Sequence, residues 1–160
     1  MIKIDGLSKF LPTYKYTGGE NVTFQVLIDN IKEEAQKYAV PVEFYNDQVK
    51  SGGIFSREIE ECIVVYHPEH KTDYYNFCIR IKRVGSIVQI QTDVFGSSVQ
   101  MDKFARAEKA FEDRQGKSVS YKIGSMVGSG LRNMGKNKQK LEEEELYYDT
   151  LRYVLREALG

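Results

Sequence analysis

Between Cys62 and Val94 the chain runs through three stretches that alternate with period two, Cys62 to Tyr66, Tyr75 to Lys82 and Ile87 to Val94. Alternation sends successive side chains to opposite faces, so these stretches are expected to form strands with one face buried. Their registers can be tested against one another. A two-residue turn at Val84-Gly85 pairs Ile81 with Val88, Ile79 with Ile90 and Phe77 with Thr92. A longer loop centred near His70 pairs Ile63 with Phe77, Val65 with Tyr75 and Cys62 with Cys78. Both pairings gather mainly apolar side chains on one face and turn Arg80 and Lys82 to the other. A further strand is expected near Val42 to Tyr45, before the break at Gly52-Gly53.

Helical periodicity brackets this meander. Phe24, Leu27, Ile28, Ile31, Ala35 and Tyr38 share one helical face, with Asn21 or Thr23 as N-cap and Pro41 past the end. A second helix is predicted over Met101 to Gln115, stopping at Gly116. A long charged helix follows from about Lys136 to Leu159, with Tyr147, Tyr148, Leu151, Val154, Leu155 and Ala158 on one side. Helices that bracket strands, rather than alternate with them, predict an α+β class. The expected architecture is an antiparallel β-meander of about four strands, with an N-terminal helix and two to three C-terminal helices packed on one face. One domain is expected over 1–160: an irregular arm over 1–20, the helix, meander and helix over 21–115, and a Gly-rich segment with the charged helix over 116–160.

A chain of 160 residues with 41% apolar side chains can build a core without disulfides or metal. Its apolar runs are far shorter than the roughly 20 residues a membrane-spanning helix needs. The N-terminus lacks a secretory pattern, and two cysteines are too few for a disulfide framework, so a cytoplasmic location and no membrane association are expected.

All four Cys and His residues, Cys62, His67, His70 and Cys78, fall within one hairpin. Two thiolates and two imidazoles could hold zinc, whose ligands lie within about 2.3 Å of the ion. The predicted register, however, sets thiols and imidazoles roughly 16 Å apart at the rise of a strand. The cysteines are therefore read as a cross-strand pair and His67-Pro68-Glu69-His70 as a polar hairpin tip. His67 and His70 stay as weak candidates for a metal site or, with Glu69 or Asp73, a catalytic group. No metal and no cofactor is expected, and no catalytic residue can be assigned.

Gly130 to Lys136 fits G-x-x-x-x-G-K, but Asn137 stands where a phosphate-binding loop needs Ser or Thr, and no strand precedes it. It is read as a junction between helices.

The net charge is zero, but residues 100–140 carry 10 basic and 4 acidic groups and residues 141–160 carry 2 and 6. Lys122, Arg132, Lys136 and Lys138 are the candidate anion-binding residues of this strip. Only Tyr121 is there to stack on a base, and Glu142 to Glu145 would repel a nucleic-acid backbone, so a solvated face complementary to the acidic run is favoured over nucleic-acid binding. The four glycines from Gly124 to Gly135 mark a tight contact or a flexible link. The usual catalytic signatures are absent. The leading expectation is a non-enzymatic interaction or assembly module, with a protein partner or a second copy meeting Tyr147, Leu151, Val154 and Ala158. The alternatives are a small-ligand or metal-dependent enzyme at the His67/His70 hairpin and nucleic-acid binding through 117–140.

Overall fold

In the computed structural model, which describes residues 1–53, 57–115 and 130–160, the first helix starts where Thr23 caps it. The Thr23 hydroxyl accepts a hydrogen bond from the Val26 amide at 3.2 Å, satisfying one of the free donors of the first turn. This helix, α1 (Phe24–Lys37), buries Leu27, Ile31 and Ala35, which lie four residues apart along one face. It ends in a left-handed residue, Ala39 at φ 53°, two positions before Pro41.

Four long strands follow the predicted order: β4 (Glu43–Ser51), β5 (Glu58–Tyr66), β6 (Asn76–Val84) and β7 (Ile87–Phe95). Three short strands precede α1, namely β1 (Ile2–Lys3), β2 (Ser8–Lys9) and β3 (Tyr14–Thr17). The sheet therefore has seven strands rather than about four, in the order β1-β4-β5-β6-β7-β2, with β3 also on β7. Strands of two residues are too short to show a period. All pairings are antiparallel except β1 with β4.

Both predicted registers are off by two residues. Ile81 pairs with Ile90 because the β6–β7 turn is Gly85-Ser86, where φ of +59° at Gly85 suits a glycine. Ile63 pairs with Ile79 and Cys78 faces Val64, so the two cysteines are diagonal rather than opposite. A slip of two leaves every side chain on its predicted face.

The N-terminal arm forces the sheet to curl. Flat, β1 and β2 would sit five strand spacings apart, roughly 24 Å. Only five peptide units separate Lys3 from Ser8, a reach of at most about 18 Å. The arm therefore bridges the two sides of a bent sheet, and Ile2, Val49, Cys62, Val64 and Cys78 form a small core beneath it, with Leu7, Tyr45 and Phe95 against them.

The larger core lies on the other face. There α1 and the last helix, α3 (Gly130–Leu159), cover Ile63, Val65, Phe77, Ile79 and Ile90. The helix α2 (Val99–Gln115) follows β7 and sets Met101 against this core. The stripe assigned to a partner is used within the chain: Leu151 and Val154 are fully buried there, and Tyr147 and Ala158 are half-buried against it. The physical reason is that α1 alone cannot cover the apolar face of four strands. The Tyr16 hydroxyl, donating to the Leu159 carbonyl, pins the end of α3 to β3.

Of the basic strip, Lys122 lies outside the described residues, as do the Gly-rich segment over 116–129 and the side chains of Arg132 and Lys136. Lys138 is exposed on α3. The backbone of Gly130 to Lys136 is helical, not the loop a phosphate cradle requires.

Candidate functional site

The β5–β6 connection, residues 67–75, leaves Pro68, Glu69, Lys71 and Thr72 exposed and turns its other side chains toward the body of the protein. The His70 amide donates to the His67 carbonyl at 3.0 Å, and the Tyr74 amide to the His70 carbonyl at 3.1 Å, folding the loop into successive turns. The Asp73 carbonyl accepts from the Val99 amide at 3.0 Å, tying the loop to the start of α2. This lays the loop along α3, so that His67 and His70 are half-buried.

Six rings meet there. His67 and His70 stand edge to face with centroids 4.6 Å apart, and His70 stacks on Tyr74 at 4.0 Å. Tyr147 of α3 lies 4.7 Å from His67 and 5.9 Å from Tyr74. Tyr148 completes the cluster from behind, 5.8 Å from both Tyr74 and Phe77. Such offset and edge-on pairs are the favoured geometries for aromatic quadrupoles. Polar tips are anchored: the Tyr147 hydroxyl donates to the Pro41 carbonyl at 2.8 Å, and the Tyr148 hydroxyl accepts from the Tyr75 amide at 2.8 Å.

In front of the rings lies an open cleft of about 400 Å³, bounded by the α1–β4 connection, the loop and α3. Its rim is apolar and exposed, with Leu146 at 66% and Tyr38 at 48% of their full accessibility. Tyr38 also meets Tyr153 edge to face at 5.4 Å.

Behind the rings is a buried acid. Glu144 is fully inaccessible, accepts a hydrogen bond from the Ser98 hydroxyl at 2.5 Å, and leaves Oε1 without a partner among the described residues. Burial pushes its carboxyl up, and the Ser98 and Tyr148 hydroxyls pull it partly back. Ser98 also accepts the Met101 amide at 3.1 Å and so caps α2.

The two imidazoles differ in their surroundings. His67 Nδ1 accepts from the Glu69 amide at 3.1 Å, and burial, followed by the nearby His70, holds His67 below the usual histidine range. His70 Nδ1 shares a 2.9 Å hydrogen bond with Asp73. Among the described residues, no three His, Cys, Asp or Glu side chains are placed to hold one metal ion. No described helix is long and apolar enough to cross a membrane.

The structure thus joins His67 and His70 with Tyr147, which the sequence had placed on a separate partner face. It adds Tyr74 and Glu144, which sequence reasoning passed over. Glu144 carried a signal: Leu141, Glu144, Tyr148, Leu151 and Leu155 follow a 3-4-3-4 spacing, so one glutamate of the acidic run falls on the buried stripe. Tyr74 carried none, because the loop's path along α3 is set by tertiary contacts.

A second polar cluster lies beneath the arm. Arg80 is buried and spans Asp93 at 2.8 Å and Glu60 at 3.2 Å, with Nε unpaired among the described residues. The free thiols of Cys62 and Cys78 are buried together in the small core beside it. With its carboxylates already engaged, this cluster fastens the curled sheet.

Comparison with protein-family models, with curated proteins and with solved structures gives no match for the chain.

Proposed function

We propose that the chain is a non-enzymatic, cytoplasmic interaction module whose recognition site is the tyrosine–histidine cleft. The observation that carries this reading is the exposed apolar rim, Leu146 and Tyr38, standing in front of a ring cluster held by its own hydrogen bonds. Exposed large apolar groups at a concave site favour binding a partner over contact with water. Leu151 and Val154 act behind the site, holding α3 in place. Tyr147 contributes directly, and Ala158 lies at the far end of the helix.

A photo-crosslinking residue in place of Leu146, with one in place of Lys138 as control, tests this reading. The module should give one discrete adduct from position 146, to a partner or to a second copy, that Tyr147→Ala removes. Equal labelling at both positions, or none at 146, would overturn it.

The enzyme alternative draws on the His70–Asp73 pair, which fixes one imidazole beside the cleft. Asp73 is the one side chain hydrogen-bonded to either imidazole among the described residues, so no activated nucleophile accompanies it.

A further inference from the structure

We infer that the sheet holds a second recognition site, a slot between β5 and β6 that takes up an extended segment of a partner protein as an inserted strand. The slot lies at the opposite end of these strands from the tyrosine–histidine cleft and does not depend on that reading.

The ladder supplies the first part. β4 pairs with β5, and β6 with β7, along the whole of each strand. β5 meets β6 only at Ile63–Ile79, Val64–Cys78 and Val65–Phe77. Beyond Ile63 and Ile79 the two strands part, so the first half of β5 and the second half of β6 face each other without pairing.

The β6–β7 turn identifies which main-chain groups this leaves open. Residues flanking a two-residue turn exchange both hydrogen bonds, so Val84 and every second residue before it point their amides and carbonyls at β7. The alternate residues Ile81 and Arg83 point theirs into the gap. The same alternation, carried from the Ile63–Ile79 pair, turns Ile59 and Glu61 of β5 toward it from the other side. None of these four residues is buried. Two facing strand edges with open donors and acceptors form a template for one more strand.

Side chains decide what can enter. An open cleft of about 540 Å³ lies between the parted strands, with Glu58, Ile59 and Glu60 on one side and Ile81, Lys82 and Val84 on the other. On the face toward α1 and α3, Ile59 is 55% exposed and continues the apolar row of Ile63, while Ile81 continues that of Ile79. On the opposite face stand Glu58, Glu60, Lys82 and Val84. There Arg80 and Lys82 reach Glu60 at 3.2 and 3.8 Å, which spans the apex of the gap through side chains and leaves the main-chain edges free. The guest that matches is an extended segment with alternating side chains, β-branched apolar ones toward Ile59 and Ile81 and polar ones toward Glu58 and Lys82.

A strand placed between two antiparallel neighbours must be free on both of its own edges. Among the described residues, β4 to β7 are each paired along one whole edge, and β1, β2 and β3 are held on β4 or β7. No described strand of a second copy could enter without leaving its own sheet. The occupant is therefore a linear segment of a partner, in which main-chain hydrogen bonds give affinity and alternate side chains give selectivity.

The test uses the full chain and a blocked peptide, acetyl-Lys-Thr-Val-Thr-Val-Lys-amide, with amide hydrogen exchange read by NMR. In the free chain the amides of Ile59, Glu61, Ile81 and Arg83 should exchange rapidly. Saturating peptide should slow them about tenfold or more, while Glu60 and Lys82, already bonded to β4 and β7, change little. N-methylation of either the central valine or the threonine after it should weaken binding about fivefold, the worth of one main-chain hydrogen bond, because successive residues face opposite edges. Weakening at only one of the two would mean addition to a single edge and overturn insertion. Ile59→Ser should weaken the peptide about fivefold without moving the melting temperature, and an unchanged affinity would overturn the apolar seat. Protection of the same four amides on concentrating the chain alone would make a second copy the occupant and overturn the choice of a partner. If the four amides are already protected in the free chain, or the peptide leaves them all unchanged, the inference falls, and the crosslink at position 146 still judges the cleft separately.

Discussion

The Ser98 hydroxyl donates to Glu144 at 2.5 Å, joining the cap of α2 to a carboxyl on α3 that water does not reach. Burial favours the neutral form of that carboxyl, so its folded pKa lies above the unfolded value. In the interval between those two values the folded chain binds more protons than the unfolded chain. Its contribution to stability is thus complete below the unfolded pKa, near 4.3 for a glutamate, and is lost as pH rises to the folded one.

Urea melts of wild type and Glu144→Gln across pH 4 to 8 check this. The wild type should lose stability relative to the variant on the rising limb, at up to about 1.4 kcal/mol per pH unit, the limit for one proton. Parallel curves would mean that Glu144 is ionised in the folded state.

How far the sequence revealed this arrangement can be judged from particular residues. The span of α1 and the faces of β5 to β7 were legible because each rests on local periodicity, and a register error of two residues cannot change a face. The curl was not legible. It follows from a segment of five peptide units joining opposite sides of the sheet, a constraint that exists only once Ile2 has found Val49 and Ser8 has found Val94. The cleft was half legible: the histidines stood out by rarity, but the loop's path across α3 depends on contacts with Tyr147 and Val99. Glu144 was masked by its neighbours, since a run of four glutamates reads as solvent-facing unless each is placed on the helical wheel.

His67 titrates in the opposite sense to Glu144. Its folded pKa is lowered by burial and then by His70, so its contribution is present above the unfolded histidine value of about 6.5 and is lost as pH falls through the folded value. His67→Phe keeps a ring beside Tyr147 and removes the titrating group. The variant should lose less stability than wild type between pH 7 and pH 5, with little change at pH 8. An acid limb identical to wild type would contradict the assignment.

Arg80 makes a different demand. Its guanidinium is buried between Asp93 and Glu60. Removing one partner of a buried pair leaves an uncompensated charge and typically costs about 3 to 5 kcal/mol, whereas an apolar replacement of similar size can be nearly neutral. Asp93→Ala should therefore destabilise the chain more than the double substitution Arg80→Met with Asp93→Ala. If the double variant is the less stable of the two, the pair contributes net stability beyond its own desolvation.

The last prediction concerns what α3 is for. Leu151, Val154 and Leu155 are fully inaccessible, and they lie with Leu27 and Ile31 of α1 and Ile63 and Ile79 of the sheet in one core. Leu155→Ala should cost about 2 to 5 kcal/mol, the range for deleting a buried leucine where the site cannot collapse. Leu146→Ala, on the same helix but at the exposed rim, should stay within about 0.5 kcal/mol. The contrast separates two roles along one helix, since a stripe packed against a second copy would make both changes mild in dilute solution and concentration-dependent. Cutting the chain after Lys140 extends the test by removing every α3 residue that the described core contains. Circular dichroism should then show a loss of fixed tertiary signal, and light scattering an aggregate. A soluble, cooperatively melting fragment would show that α1 and the sheet are sufficient, and that the buried positions of α3 add little to the fold.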